Sequence, residues 1–444
     1  MKKFFQSLFL TPRLFGILTA NVVLFVVGHF VPILFPISQG LLGLTVATLF
    51  LDIAVMYRVR RGIKGVRHVP EKLSNGDENP IEIYLANFYN FPIEIQVIDE
   101  VPHQFQLRNT QFNGKLVSGG NTSLEYNLRP TRRGEYTFGN LNVFVSSPLS
   151  LIRRRFKFAN DKTVPCYPSY LQMRKYELMA ASNRLHELGV KRLRRIGHSM
   201  EFEQIRQYVV GDDYRTINWK ASARTGDLMV NQFTDEKSQP VYCIIDKGRM
   251  MKMPFEGLSL LDYAINASLV MSNIALYKQD KAGLMTFSER MGVHLKASRN
   301  ASQMNVITEL LYNQKTRYLE SSYEILYANI RRKVTQRSLL LLFTNFDSIS
   351  SMRRQLPYLR RMNRSHLLVV VFFENTELRE LISIQARKTE EIYLKTVAEK
   401  FAFEKRQIVR ELHLHGIQAI LSSPQNLTVN TLNKYLELKA RGMI

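Results

Sequence analysis

Three kinds of hydrophobic patterning divide this chain into a helical membrane hairpin, a small β-sandwich and a C-terminal α/β domain of Rossmann type. Two long apolar runs bounded by cations come first. Short runs that alternate apolar and polar residues fill 66–165. From Pro240 onward, short and fully apolar runs alternate with longer helical patterns. The expected boundaries are 1–60 for the anchor, 66–165 for the sandwich, 166–239 for a connecting region and 240–444 for the α/β domain. A chain of 444 residues has room for about three domains.

Leu14 to Phe35 is almost unbroken apolar sequence, interrupted only mildly by Asn21 and His29, and it is long enough to cross a bilayer core of ~30 Å. A second run spans about Leu41 to Tyr57 and carries Asp52 near its end. The uncharged turn Pro36-Ile-Ser-Gln-Gly40 separates them. Lys2, Lys3 and Arg13 precede the first run, and Arg58, Arg60, Arg61, Lys64 and Arg67 follow the second. Cations at both outer ends and none between predict a two-span anchor with both ends in the cytoplasm. A cleaved signal peptide is the competing reading of Lys2 and Lys3, but the apolar run continues well past Leu18-Thr-Ala20. Burial of the second run in a soluble core is a further alternative. The basic residues at 58–67 are expected to meet anionic lipid.

Ile81–Leu85 and Ile93–Val97 alternate as half-buried strands do, with Asn87, Asn90 and Pro92 supplying turn chemistry between them. Further short runs lie at Phe105–Leu107, Ser123–Leu128, Tyr136–Phe138 and Leu141–Val145. Turns are expected at Asn113-Gly114, Gly119-Gly120 and Arg133-Gly134. This spacing suggests a sandwich. Arg153, Arg154, Arg155 and Lys157 read as a solvated strand edge protected by charge, with phosphate or lipid contact as the alternative. The same two readings apply to Lys191, Arg192, Arg194 and Arg195.

Val241–Ile245, Ala282–Phe287, Leu339–Phe343 and Leu367–Phe373 are too apolar for a half-exposed sheet. Helical patterns at Leu258–Tyr277 and Ile349–Met362 separate them, with a later strand at Gln418–Leu421 and a final helix over Leu427–Lys439. Parallel strands covered on both faces follow. Sites in such sheets gather beyond the carboxyl ends of the strands, where Asp246, Asn345 and Asp347 stand.

The densest chemistry lies in 201–233, EFEQIRQYVVGDDYRTINWKASARTGDLMVNQF. Arg206, Tyr208, Gly211, Asp212, Asp213, Arg215, Asn218, Trp219, Ser222 and Arg224 are the candidate site residues. Asp213 is placed to cap a helix starting at Tyr214, on which Arg215, Trp219 and Ser222 would share one side. In spacing and composition the segment resembles the signature R-x-Y-x-x-G-D-D-x-R-x-I-N-W-x-A-S-A-R of the domain of unknown function 58 family of bacterial membrane proteins. The passages Arg132–Gly139 and Ser147–Leu151 resemble the same family, with Ser147 where an acidic residue is usual.

That resemblance implies a von Willebrand factor A-like C-terminal domain, a bacterial cytoplasmic membrane location and a MoxR-type AAA+ ATPase as partner. The metal motif of the von Willebrand A fold is an aspartate followed by two alternate serines, but this chain reads Asp246-Lys-Gly248-Arg249-Met250. Magnesium is therefore not expected; Asp246 and Asp347 are the weak candidates, and no other cofactor is implied.

Purely structural duty also accounts for the signature. On that reading Gly211 turns the chain, Asp213 caps, Arg206 or Arg224 neutralises Asp212, and Trp219 packs one domain on another. Partner recognition is the functional reading, since Arg and Trp anchor interfaces. The net charge of +23, from 61 basic and 38 acidic residues, calls for an anionic surface. Two cysteines, Cys166 and Cys243, make neither a zinc site nor a disulfide framework. No phosphate-binding G-x-x-x-x-G-K-[ST] loop and no G-x-S-x-G elbow occurs. His413 and His415 lack metal spacing. The expected function is a non-catalytic membrane adaptor, in envelope maintenance or stress response. The alternatives are a membrane-tethered nucleic-acid-binding protein, whose affinity would fall steeply with salt, and a metal-dependent hydrolase built on Asp212 and Asp213.

Overall fold

Thr11 and Pro12 open the first long helix as the physics of helix starts requires. The Thr11 hydroxyl accepts from the Leu14 N–H, and Pro12 occupies the first turn, where its missing N–H costs nothing. The computed structural model describes residues 2–31, 33–107, 110–158, 161–181, 200–235, 238–316, 318–376, 382 and 388–444. Lys191, Arg192, Arg194 and Arg195 therefore lie outside the described residues. The chain divides into two units, Met1–Tyr167 and Pro168–Ile444.

In the first unit α1 (Lys2–Ser7) and β1 (Leu8–Leu10) precede α2 (Pro12–Phe30) and α3 (Leu34–Arg58). The two longer helices have mean hydropathy 1.7 and 1.8 over their most apolar stretch, long and apolar enough to cross a membrane. They pair through Asn21, whose amide donates to the Ile17 carbonyl (3.0 Å) and to Thr45 Oγ1 (3.4 Å). Gly28 allows the close approach: a Cβ there would meet the Phe35 backbone at 3.1 Å.

The sandwich strands are β2 (Ile63–His68), β3 (Leu73–Ser74), β4 (Asn79–Asn87), β5 (Ile93–Asp99), β6 (Gln111–Leu116), β7 (Asn121–Leu128), β8 (Gly134–Phe138), β9 (Leu141–Ser146), β10 (Ile152–Phe158) and β11 (Lys162–Tyr167). They form sheets ordered β1-β10-β9-β5-β6, β2-β4-β7 and β3-β11-β8. Strict alternation in β4 and β5 sends Ile83, Leu85, Ile93, Ile95 and Val97 into one core with Val143 and Val145. Leu73, Tyr136, Phe138, Val164 and Cys166 build a smaller second core.

Four expectations are corrected here. Phe105–Leu107 is not a strand; a 3-10 turn occupies His103–Phe105. Asn113-Gly114 is not a turn but lies within the edge strand β6, where Gly114 pairs with Ile95; the reversal falls at Val117–Gly120, with Gly119 at φ +66. The Arg153–Lys157 strand is an open edge only in part: β1 pairs with Ile152–Arg154 opposite β9, while Arg155–Phe158 pair with β9 alone and Lys157 is exposed. Arg154 Nη1 donates to the Met56 and Val59 carbonyls (both 2.7 Å) and Nη2 to that of Arg60 (3.1 Å), satisfying orphan acceptors at the end of α3. Finally, Arg67 is not a lipid-facing cation. Its buried guanidinium pairs with buried Asp99, donates to the Gly139 carbonyl (2.9 Å) and lies 5.0 Å from the Phe138 ring centre. Arg58, Arg60, Arg61 and Lys64 are exposed.

Asp52 is likewise consumed internally. Its carboxylate accepts from the Ser147 hydroxyl, while neighbouring Ile53, Met56 and Tyr57 pack on the sandwich core. A serine at 147 thus gives that carboxylate a donor where a second acid would repel it.

The second unit contains α4 (Tyr170–Ala181), β12 (Met200–Gln207), α5 (Trp219–Thr225), β13 (Met229–Asp235), β14 (Pro240–Asp246), β15 (Pro254–Phe255), β16 (Leu258–Ser259), α6 (Leu260–Tyr277), β17 (Lys281–Phe287), β18 (Met291–Ser298), α7 (Gln303–Tyr312), α8 (Tyr323–Lys333), β19 (Leu339–Phe343), α9 (Ile349–Ser365), β20 (Leu367–Phe373), α10 (Thr389–Leu414), β21 (Gln418–Ser422) and α11 (Leu427–Ala440). Six strands form one sheet ordered β18-β17-β14-β19-β20-β21, parallel except for β18. Alternate residues of β14 serve its two faces. Val241, Cys243 and Ile245 meet α6, α7 and α11, while Tyr242 and Ile244 meet α8, α9 and α10. Burial on both sides is why these strands read as unbroken apolar runs. Ser259 and Asp262 close a capping box that starts α6.

Candidate functional site

The signature folds as an antiparallel hairpin, β12 with β13, whose connection carries two short helical turns. Tyr208 continues the ladder through its N–H to the Leu228 carbonyl (2.8 Å). Gly211 then takes φ +112, a conformation that disfavours any side chain. Arg206 grips Asp212 with both guanidinium nitrogens (2.8 and 2.6 Å), and Asp212 also accepts the Val209 N–H (3.0 Å). The bond to Arg206, helped by that N–H, holds the Asp212 carboxyl below the usual carboxylate range.

Asp213 does cap, accepting the Arg215 N–H at 3.0 Å, but the turn it caps ends at Thr216. The expected continuous helix through Ser222 does not form. Ile217 is extended, bridges to Val230, and delivers Asn218 as the cap of a separate helix, α5. Asn218 Oδ1 accepts the Ala221 N–H (3.0 Å), its amide donates to Asn231 Oδ1 (2.8 Å), and its own N–H donates to the Met229 carbonyl (2.8 Å). Ser222 Oγ accepts the Met229 N–H (2.8 Å). Two strong capping side chains five residues apart, Asp213 and Asn218, break the helical period that spacing alone suggests.

Arg206, Asp212, Asp213, Asn218 and Ser222 are thus occupied in building the loop. The large side chains are not. Trp219 is 70% exposed, Tyr214 69% and Val210 96%, with Val209 and Leu228 also open. Arg215 and Arg224 are exposed cations, Arg215 lying 5.7 Å from the Tyr214 ring centre. Arg224 forms no ion pair with Asp212, whose partner is Arg206. Val209, Val210, Tyr214 and Leu228 were not singled out from sequence; two valines set against a turn glycine were the available signal.

At the carboxyl ends of the sheet, Asp246 is buried and accepts from the Gly248 N–H (2.8 Å), the Ser321 hydroxyl and the Thr344 hydroxyl (2.7 Å). Burial raises its pKa against the pull of these bonds. A hydroxyl at 248 has no room, since a Cβ there would sit 2.2 Å from Ser321 Oγ. Arg249 pairs with Glu320 (3.0 Å), and Asp347 is exposed and accepts the Ser348 N–H (2.8 Å). Among the described residues no cluster of three or more His, Cys, Asp or Glu could hold a metal. This donor-saturated carboxylate does not fit a divalent ion. Asp246→Asn is expected to stay within about 1 kcal/mol of wild type, because an amide keeps two acceptor bonds and can donate to Thr344. Asp246→Ala should cost about 2–4 kcal/mol by orphaning the donors. Melting curves with magnesium or a chelator should superimpose; a shift of several degrees would contradict the assignment.

Lys405 of α10 reaches the same end, donating to Asn345 Oδ1 (2.6 Å) and the Phe346 carbonyl beside a cavity of about 430 Å³. Burial pushes its ammonium down to about 8. Between about pH 8 and the ordinary lysine value the unfolded chain holds the extra proton, so stability rises with pH across that window. Lys405→Met should remove this rise in a pH series of melting curves; parallel curves would refute it.

Several known proteins share parts of this chain. The uncharacterized protein YeaD of Bacillus subtilis (strain 168) is 28% identical over 184 residues, which is 40% of this chain and 45% of that relative's length. The conserved hypothetical protein BatB from Bacteroides thetaiotaomicron is similar over 46% of this chain and 99% of its own, at 11% identity and TM-score 0.31. The CARDB domain of a Pyrococcus furiosus protein is similar over 23% of this chain and 91% of its own, at 13% identity and TM-score 0.17. The profile described as "Protein of unknown function DUF58" matches residues 204–401, from the hairpin through β20 and into α10.

Proposed function

We propose that this chain is a non-catalytic, membrane-anchored adaptor that offers its 201–233 hairpin to a protein partner. One observation carries the proposal: Arg206, Asp212, Asp213, Asn218 and Ser222 are spent inside the loop, while Trp219, Tyr214 and Val210 are left on its surface. Exposed aromatic side chains beside arginines are the usual composition of interface anchors. A hydrolase built on Asp212 and Asp213 is disfavoured, since one carboxylate is ion-paired and the other caps a turn.

The anchor is α2 and α3, spanning a bacterial cytoplasmic membrane with both ends in the cytoplasm, and Arg58, Arg60, Arg61 and Lys64 meet anionic lipid. The C-terminal domain is von Willebrand factor A-like, a reading supported by its doubly covered parallel sheet. The partner is a MoxR-type AAA+ ATPase, in envelope maintenance or stress response, and the ATP chemistry is the partner's. Crosslinked capture from native membranes tests this. Wild type should retain an AAA+ ATPase that Trp219→Ala loses; capture of no specific protein by wild type would overturn the proposal.

A further inference from the structure

At the amino ends of the parallel strands, opposite the end that carries Asp246, lies an open cavity of about 830 Å³. Lys281 at the start of β17, Lys296 near the end of β18, Arg299 just beyond it and Lys333 at the end of α8 all line it, and among the described residues no carboxylate does. Among the described residues none of these four cations has an ion pair.

The last turn of α8 also carries Arg331 and Arg332, and helix polarity alone explains cations there. It does not explain Lys281 and Lys296, on two neighbouring strands, or Arg299 just beyond the second. Like charges gathered around one concavity repel each other and focus a positive potential into it. The frame beneath is fixed. Tyr242 is buried, with its hydroxyl accepting the Ala297 N–H (3.2 Å), and Gln303 ties the Ala282 and Lys296 carbonyls together (2.7 and 3.0 Å). Ser298 and Thr335 add hydroxyls to the wall.

We propose that this cavity binds a multiply charged phosphate group, of the kind carried by a soluble polyphosphate or by a phosphorylated lipid headgroup. Four cations converging from three elements match several phosphate oxygens at once, and arginine adds bidentate geometry. None of these four cations belongs to the hairpin.

Calorimetric titration of the full-length protein in a zwitterionic detergent, with inorganic triphosphate and separately with dioctanoyl phosphatidic acid, tests this. One probe should bind saturably, with affinity about tenfold lower in Lys296→Ala or Arg299→Ala and near wild type in Lys296→Arg. Lys220→Ala, an exposed cation on the hairpin, should leave it unchanged. Tighter triphosphate binding identifies a soluble ligand, and tighter phosphatidic acid binding a lipid. Both alanine variants alter exposed side chains and should melt as wild type does. Absence of binding by both probes, or equal loss in Lys220→Ala, would overturn the proposal.

Discussion

Replacing Arg67 with methionine is expected to cost the first unit about 3–5 kcal/mol, because it leaves the Asp99 carboxylate buried without its cation. Asp99 keeps the Tyr126 hydroxyl as a donor, which does not neutralise a charge. Burial already raises the Asp99 carboxyl against the opposing pull of Arg67. Losing Arg67 would raise it further, so the folded variant would hold a proton that the unfolded chain releases. Stability of the variant should therefore recover as pH falls from 8 to 5, the direction required for a raised carboxylate. Hydrogen exchange in β4 and β9 of the full chain reads this directly. Protection should fall by about a hundredfold to several thousandfold at neutral pH. An Arg67→Met/Asp99→Leu pair should regain most of it, since an apolar replacement of a buried ion pair is often tolerated. Unchanged protection in the single variant would mean the pair is not buried as described.

The second large effect concerns binding without stability. Tyr214→Ser/Trp219→Ser should weaken partner association by about thirtyfold per residue, the range of interface hot spots of about 2 kcal/mol. Its melting temperature should match wild type, because both rings are mostly in solvent. Arg206→Ala is the complementary case: it removes the cation from Asp212 and should loosen the loop itself, lowering both protection and binding. Equal destabilisation by both changes would return the aromatics to structural duty.

Much of the fold was legible because burial writes simple patterns. Leu339–Phe343 and Leu367–Phe373 are strands with the bounds their apolar runs suggested, since a strand covered on both faces admits no polar residue. β18 was not legible: Met291–Ser298 is a half-exposed edge with two irregularities in its register, so its alternation is blurred. Arg67 misled for a different reason. A cation in a row of cations after an apolar run reads as juxtamembrane, and only the long-range partner Asp99 reveals it as core. In the signature, residue types disclosed the cap Asp213 and the ion pair of Asp212, both local interactions, but not the second cap, Asn218. They did not disclose that Trp219 is exposed, because exposure depends on what the rest of the chain leaves uncovered.

The most direct measurement places a photo-crosslinking amino acid at position 219 in the membrane-embedded protein, with Tyr277, an exposed aromatic on α6, as the control position. The account predicts one dominant crosslinked protein from position 219, identified by mass spectrometry as an AAA+ ATPase, and none from 277. Equal labelling from both positions, or no protein adduct at 219, would contradict it.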